Sequence, residues 1–318
     1  MWDFEIGRTI GILLRTMPFI LMRMAIYFGI TMAFILTTGM GAGIGYGLGA
    51  WSGDPESFTV WGGIFGFGLV AGAIYWVREW LLYMVKAAHI AVMVRLIDGQ
   101  PMPDGKSQIG YAQETVTARF GEANVLFVLD QLIKGVISVI TGLIGGIAAF
   151  LPIPGLNTLA SFVNTVIRIS LTYVDEIILG YNIRIDSKNP WETSRQGLVL
   201  YAQNGKTMIR NAVWLSIFLY ILAIIVFVLA LAPAAAILYV FPGEWAGYAF
   251  VLAIVFAWSF KAAVLEPFAI AALMSVYFKV IEGQVPNPEW DTKLSSASNK
   301  FREIKDKAFA GGGVTASS

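Results

Sequence analysis

The stretch Trp76–Gln100, WVREWLLYMVKAAHIAVMVRLIDGQ, decides how the rest of this chain is read. It starts at the end of an uncharged apolar run and continues into charged sequence without a glycine or proline until Gly99. That pattern predicts the inner end of a long membrane helix that leaves the bilayer still helical. Its closing phrase Ile97-Asp98-Gly99-Gln100 returns 184 residues later as Ile281-Glu282-Gly283-Gln284, so the chain reads as two related halves.

Composition supports a membrane protein. Of 318 residues 57% are apolar and 14% charged, and the mean hydropathy is +0.69. Soluble domains carry about 25% charged residues. A net charge of +1 gives no support for nucleic-acid binding. With no cysteine, disulfides and thiolate metal sites are excluded. Residues 1–23 hold charges where a signal peptide is apolar, so the N-terminus is expected to be retained.

Working outward, residues 1–23 place Arg8, Arg15 and Arg23 on one side of an amphipathic helix, expected to lie in the inner interface and bend at Pro18. Residues 24–50 are uncharged, longer than the roughly 20 residues a bilayer needs. Their second half contains two overlapping rows of glycines four apart, Gly39/Gly43/Gly47 and Gly41/Gly45/Gly49. Two uses fit these rows: close helix packing, or an unwound segment lining a substrate path. A short acidic loop (51–57) precedes the return span 58–77, which holds Gly62/Gly66 and Gly68/Gly72. Residues 123–150 and 157–181 form a hairpin closed by Leu151-Pro152-Ile153-Pro154-Gly155. Its charges, Asp130, Lys134, Arg168 and Asp175, fall at similar depth and fit mutual neutralisation between the arms. Residues 211–241 are uncharged, interrupted by Pro233, and 246–280 return through Lys261, Glu266 and Pro267.

The expected fold is therefore all-α: a polytopic membrane protein of about six transmembrane helices, in two parallel structural repeats (1–122 and 184–310) flanking the hairpin (123–183), with a disordered tail at 311–318. Arg8 and Arg23 match Arg195 and Arg210 at an offset of 187, and four intervening spans make the two copies parallel. In this arrangement all 22 Lys and Arg gather on one side, so both termini are expected to be cytoplasmic.

Ionisable groups at membrane depth cost roughly 2.5–3.5 kcal/mol each on insertion scales and need partners or water. Arg78 and Glu79 on one return helix and Lys261 and Glu266 on the other can pair across the repeats or line a wet cavity. Trp76, Trp80 and Trp258 flank them, as an interfacial belt or as ring faces for a quaternary ammonium ligand. His89 is the single histidine and, without nearby Cys or acidic spacing, makes no metal site; a proton relay or a packed hydrogen bond both fit it. No nucleophile–base grouping, phosphate loop or paired carboxylates stand out, so neither enzymatic chemistry nor a cofactor is expected.

The phrases VKAAHIAVMV (85–94), TARFGEANVLFVLDQLIKGV (117–136), Tyr173-Val174-Asp175-Glu176 with Asn182, and TSRQGLVLYAQN (193–204), followed by Glu266, occur in the order seen in the choline transporter-like family. Over 76–283 the chain resembles that family. It departs from it in having fewer spans, minimal outer loops and no cysteines around the polar loop. The resemblance implies movement of choline or a similar organic cation, with His89, Ser194 and Glu266 at motif positions. The expected function is transport of a small organic solute. The alternative is a non-transporting membrane subunit or scaffold, with protein partners or a second copy bound through cytoplasmic segments.

Overall fold

In the computed structural model the described residues are 2–120, 123–143, 171–186, 188–240 and 257–312. For 74–80, 119–120, 123–124, 126–127, 141, 171, 230, 233–240 and 311–312 only the backbone is described. The described residues are helices joined by short turns, with no strand among them. In order these are α1 (Ile6–Arg15), α2 (Met17–Ser52), α3 (Pro55–Ile97), α4 (Gln108–Phe120) and α5 (Ala123–Leu143). After a 3-10 turn at Leu171–Tyr173 come α6 (Val174–Ile185), α7 (Pro190–Gln203) and α8 (Gly205–Val240). A π turn at Lys261–Leu265 leads into α9 (Glu266–Val280), followed by α10 (Pro288–Ala297) and α11 (Asn299–Gly312).

Among the described residues three helices are long and apolar enough to cross a bilayer: Met17–Ser52, Gly205–Leu229 and Ala257–Val280. The described residues are thus all-helical, with three helices that suit a membrane protein. At 43 residues, α3 extends about 65 Å, twice the hydrocarbon thickness. The loop-closing phrase 151–155, Arg168 and the tail from 313 lie outside the described residues.

Contacts divide the chain into two compact units. One contains 17–86 and 225–264; the other contains 2–16, 87–224 and 265–312. In the first, α2 and α3 form a hairpin whose turn is written in its residues. Gly53 takes the left-handed conformation (φ 85°) just past the end of α2, Asp54 accepts the Ser57 N–H at 3.2 Å, and Pro55 opens α3. A C′ glycine, a capping aspartate and an N1 proline make the expected seven-residue loop a two-residue turn.

The helix α2 is unbroken through its glycines, so the unwound reading of that segment is replaced by helix packing. Among the described residues only one of the two rows is used. A Cβ on Gly41, Gly45, Gly62 or Gly66 would strike a backbone carbonyl of the opposite helix: Gly62, Phe58, Gly41 and Thr37 respectively. Gly39, Gly43 and Gly47 face open space.

The second unit is built around α9, whose residues Pro267 to Met274 are all buried. Gly180 leaves room for Met274 and Ile90. The Tyr277 hydroxyl donates to the Gly197 carbonyl at 2.9 Å, and the rings of Tyr181 and Tyr201 lie 5.9 and 6.2 Å from it. The two C-terminal helices bury Leu294, Phe301, Ile304 and Ala308 in this unit. They are fastened by Asp291, which receives Arg195 and Lys305, and by Asn189 donating to the Ala308 carbonyl at 2.9 Å.

Candidate functional site

A group of polar side chains sits where the apolar helix 257–280 changes register. In the π turn at Lys261–Leu265 the backbone register is i→i−5. Position 267 is the residue that would serve the Ala262 carbonyl in that register, and it is a proline, which has no N–H. The Arg23 guanidinium fills the gap: its Nη1 donates to that carbonyl at 3.4 Å. Arg23 is 3% exposed and lies within α2 rather than on an interfacial helix. The amphipathic expectation for 1–23 therefore holds for α1 alone, which buries Thr9, Ile12 and Leu13. The helix breaks at Thr16, because Pro18 can enter only the first turn of α2.

Around this point Tyr27, Ala262 and Ala263 form a buried cluster with Leu82 and Val264 against it. The Trp258 ring meets Tyr27 edge-on at 5.3 Å and 80°, with the indole 43% exposed. Trp258 is thus held by an aromatic neighbour. Lys261 begins the wide turn and Glu266, partly buried, follows it directly. Trp76, Arg78, Glu79 and Trp80 lie on the backbone of α3, and their side chains lie outside the described residues.

His89 belongs to the other unit and is fully buried. Its Nε2 meets Thr16 Oγ1 at 2.8 Å, while that hydroxyl lies 3.0 Å from the Ile12 carbonyl, to which it donates. With the hydroxyl proton committed there, Nε2 is the donor in the histidine pair. This bond fixes the ring against the break between α1 and α2. Asn182 and Ser194, two positions named by the resemblance, come together: Asn182 Nδ2 donates to Ser194 Oγ at 2.7 Å, with both residues buried.

Lys134 reaches Asp130 at 2.7 Å and Asp175 at 3.4 Å. Both carboxylates are buried, and Glu176, also buried, follows Asp175 in the first turn of α6. Lys134 thus holds α5 to α6 through one ammonium. Among the described residues no three His, Asp or Glu stand close enough to hold a metal ion.

Outside the spans the ion pairs are conventional. Two hydrogen bonds from Arg195 hold the Glu192 carboxyl below the usual range. Hydrogen bonding from Asn211 and Arg210 does the same for Asp3. Sequence reasoning missed the role of Arg23; the signal available was Pro267, which marks a carbonyl that its own helix leaves unserved. The chain matches no known family model, curated protein or solved structure.

Proposed function

We propose that this protein moves a small organic solute, a choline-like cation, across the membrane. The observation that carries the reading is the interrupted helix 257–280. Its π turn and proline break regular hydrogen bonding within an apolar span, and a buried arginine from another helix restores it. A π turn within an α-helix is frequently found at a functional site. The choice of a cation rests on the family resemblance, in which Glu266 stands at a motif position.

A six-span arrangement in two parallel copies with cytoplasmic termini accompanies this reading. Three features support it. The helices α2 and α8 are each 36 residues long. Each follows a shorter helix after a single intervening residue, Thr16 or Asn204. The phrases closing α3 and α9 both turn through a left-handed glycine, Gly99 and Gly283, at φ 71°. Rocking of one copy against the other would give alternating access.

The test is uptake of labelled choline into liposomes containing the full chain. Saturable uptake that falls at least about tenfold in Glu266→Gln, the scale of one lost charge interaction, is the expected result. Absence of uptake ends the proposal. The second reading, a non-transporting scaffold, draws on the open row Gly39/Gly43/Gly47, which leaves a close-packing face for another membrane helix. Recovery of a stoichiometric membrane partner by a chain that transports nothing would favour it.

A further inference from the structure

Three sides of α1 meet three different surroundings. At about 100° per residue, Thr9, Ile12 and Leu13 share one side and are buried where the helix packs on α9. Arg8 and Arg15 share a second side. There Arg8 donates through Nη2 to the Ile97 carbonyl at the end of α3, at 2.7 Å, and Gln108 of α4 donates to the Arg15 carbonyl, also at 2.7 Å. Gly99, Gln100, Gln108 and Arg15 itself are exposed, so this side faces water. Ile6, Ile10 and Leu14 run four residues apart along the third side. Ile10 is 46% and Leu14 62% exposed, and a Cβ on Gly7 or Gly11 beside them would meet nothing.

The open side continues onto a helix that suits a bilayer. The segment before α1 is fixed to the start of α8. Asp3 accepts from Arg210 Nη2 at 2.6 Å and from Asn211 Nδ2 at 2.7 Å, and its own N–H donates to Asn211 Oδ1 at 2.6 Å. Trp2 stacks on Phe4 at 5.6 Å and meets Trp214 edge-on at 6.0 Å, and both indoles are exposed. Trp214 opens an exposed stripe, Trp214, Ile221 and Ile224, along α8. That stripe lies within Gly205–Leu229, long and apolar enough to cross a bilayer. Arg210 stands one turn before Trp214. A cation followed by a tryptophan at the foot of an apolar span marks the boundary between membrane and water. Trp2 therefore sits at that boundary, and α1 leaves from it. At its other end α1 is a single residue, Thr16, from the apolar helix α2.

We propose that Trp2 and α1 form a phospholipid-binding surface, with Trp2, Ile10 and Leu14 among the upper acyl chains and Arg15 among the headgroup phosphates. A helix of this kind sinks its apolar side about 5–10 Å into the boundary between headgroups and chains. The long stem of an arginine carries its charge out of that layer. A second copy of the chain is a poorer occupant. One side of a helix of 10 residues is about 15 Å long and about 10 Å wide, or about 150 Å². A stable interface needs roughly 800 Å² per partner. The interfacial segment expected at residues 1–23 is thereby narrowed to 2–15 and given an orientation, which does not depend on transport.

The chain has no cysteine, so single nitroxide labels can be introduced through Gly7→Cys, Ile10→Cys, Leu14→Cys and Arg15→Cys, all at exposed positions. The full chain is reconstituted into phosphatidylcholine vesicles, and collisions of each label with oxygen and with a water-soluble nickel chelate are measured. The ratio of oxygen to chelate collisions should be several-fold higher at 10 and 14 than at 15. Gly7→Cys, on the same side and nearer Trp2, should follow 10 and 14, so that one misfolded variant does not decide the result. The label at 15 should also enhance phosphorus relaxation of the headgroups more than the labels at 10 and 14 do. The proposal is overturned if 10 and 14 meet the chelate as readily as 15, or if the order of phosphorus relaxation is reversed. It is equally overturned if the labels at 10 and 14 show spin–spin broadening that vanishes on dilution with unlabelled chain, which would put a second copy on this side.

Discussion

In the hairpin of α2 and α3, Gly41 and Gly45 bring one backbone against the carbonyls of the other. In the body around α9, the contacts are made by the ends of side chains: Tyr277 on Gly197, Asn182 on Ser194, Lys134 on Asp130 and Asp175. The exposure of the spans follows the same division. Of the most apolar window in Met17–Ser52, 22% is buried, against 72% for the helix 257–280. Leu36, Met40, Ile44, Trp61 and Phe65 are more than half exposed, which is how a helix that meets lipid must look. Where lipid solvates apolar side chains as well as protein does, burying them gives little, and close backbone approach must hold the helices together. Where polar groups are buried, each needs a partner, and stability is distributed over many side chains.

This difference makes unequal demands on mutation. The largest effect is expected from Gly45→Val or Gly62→Val, since the new methyls meet backbone that cannot move aside. About 3 kcal/mol or more should appear as a drop of many degrees in the thermal midpoint in detergent. Gly43→Val, on the same helix two residues away, should leave the midpoint unchanged. Equal sensitivity of the two positions would break the comparison and point to an unseen neighbour on the open row.

Smaller losses should follow in the body around α9. Tyr277→Phe deletes a buried hydroxyl and its bond to the Gly197 carbonyl, which keeps its helical partner; the cost is about 0.5–1.5 kcal/mol, read by chemical denaturation. Asp291→Ala releases Arg195 and Lys305 together, although Arg195 keeps Glu192. About 1 kcal/mol is expected, with earlier proteolytic cleavage in α10 and α11 as the sharper readout. The smallest effect is acid lability. Asp3 and Glu192 titrate below their ordinary values in the folded chain. Their contribution is complete above the usual carboxylate range near pH 4 and is lost as pH falls through the lower folded values. Asp3→Asn should flatten that part of the stability profile; an unchanged acid limb would show that Asp3 contributes nothing.

Much of the architecture was legible in the residues. The break before α2 follows from Pro18, the tight turn from Gly53-Asp54-Pro55, and the continuation of α3 to Ile97 from the lack of any helix breaker after Trp76. The candidate site was less legible. Glu266 and Lys261 were noticed because charge in an apolar run is conspicuous, and His89 because it is unique. Arg23 was assigned to the wrong helix, because three arginines spaced about seven apart read as one face whether or not the helix breaks between them. Asp98 and Glu282 were seen as a repeated phrase; nothing in sequence spacing says that they line one cavity.

The sequence alone indicated that this chain is helical, that much of it is apolar enough for a bilayer, and where several of its helices begin or stop. Hydropathy, caps and prolines are local, and their energies are settled within a few residues. Tertiary structure alone decided which glycine row is buried, which carbonyl Arg23 serves, and that Arg184 lies between Asp98 and Phe278. Those choices depend on what stands opposite each residue across a helix interface, which sequence spacing does not encode.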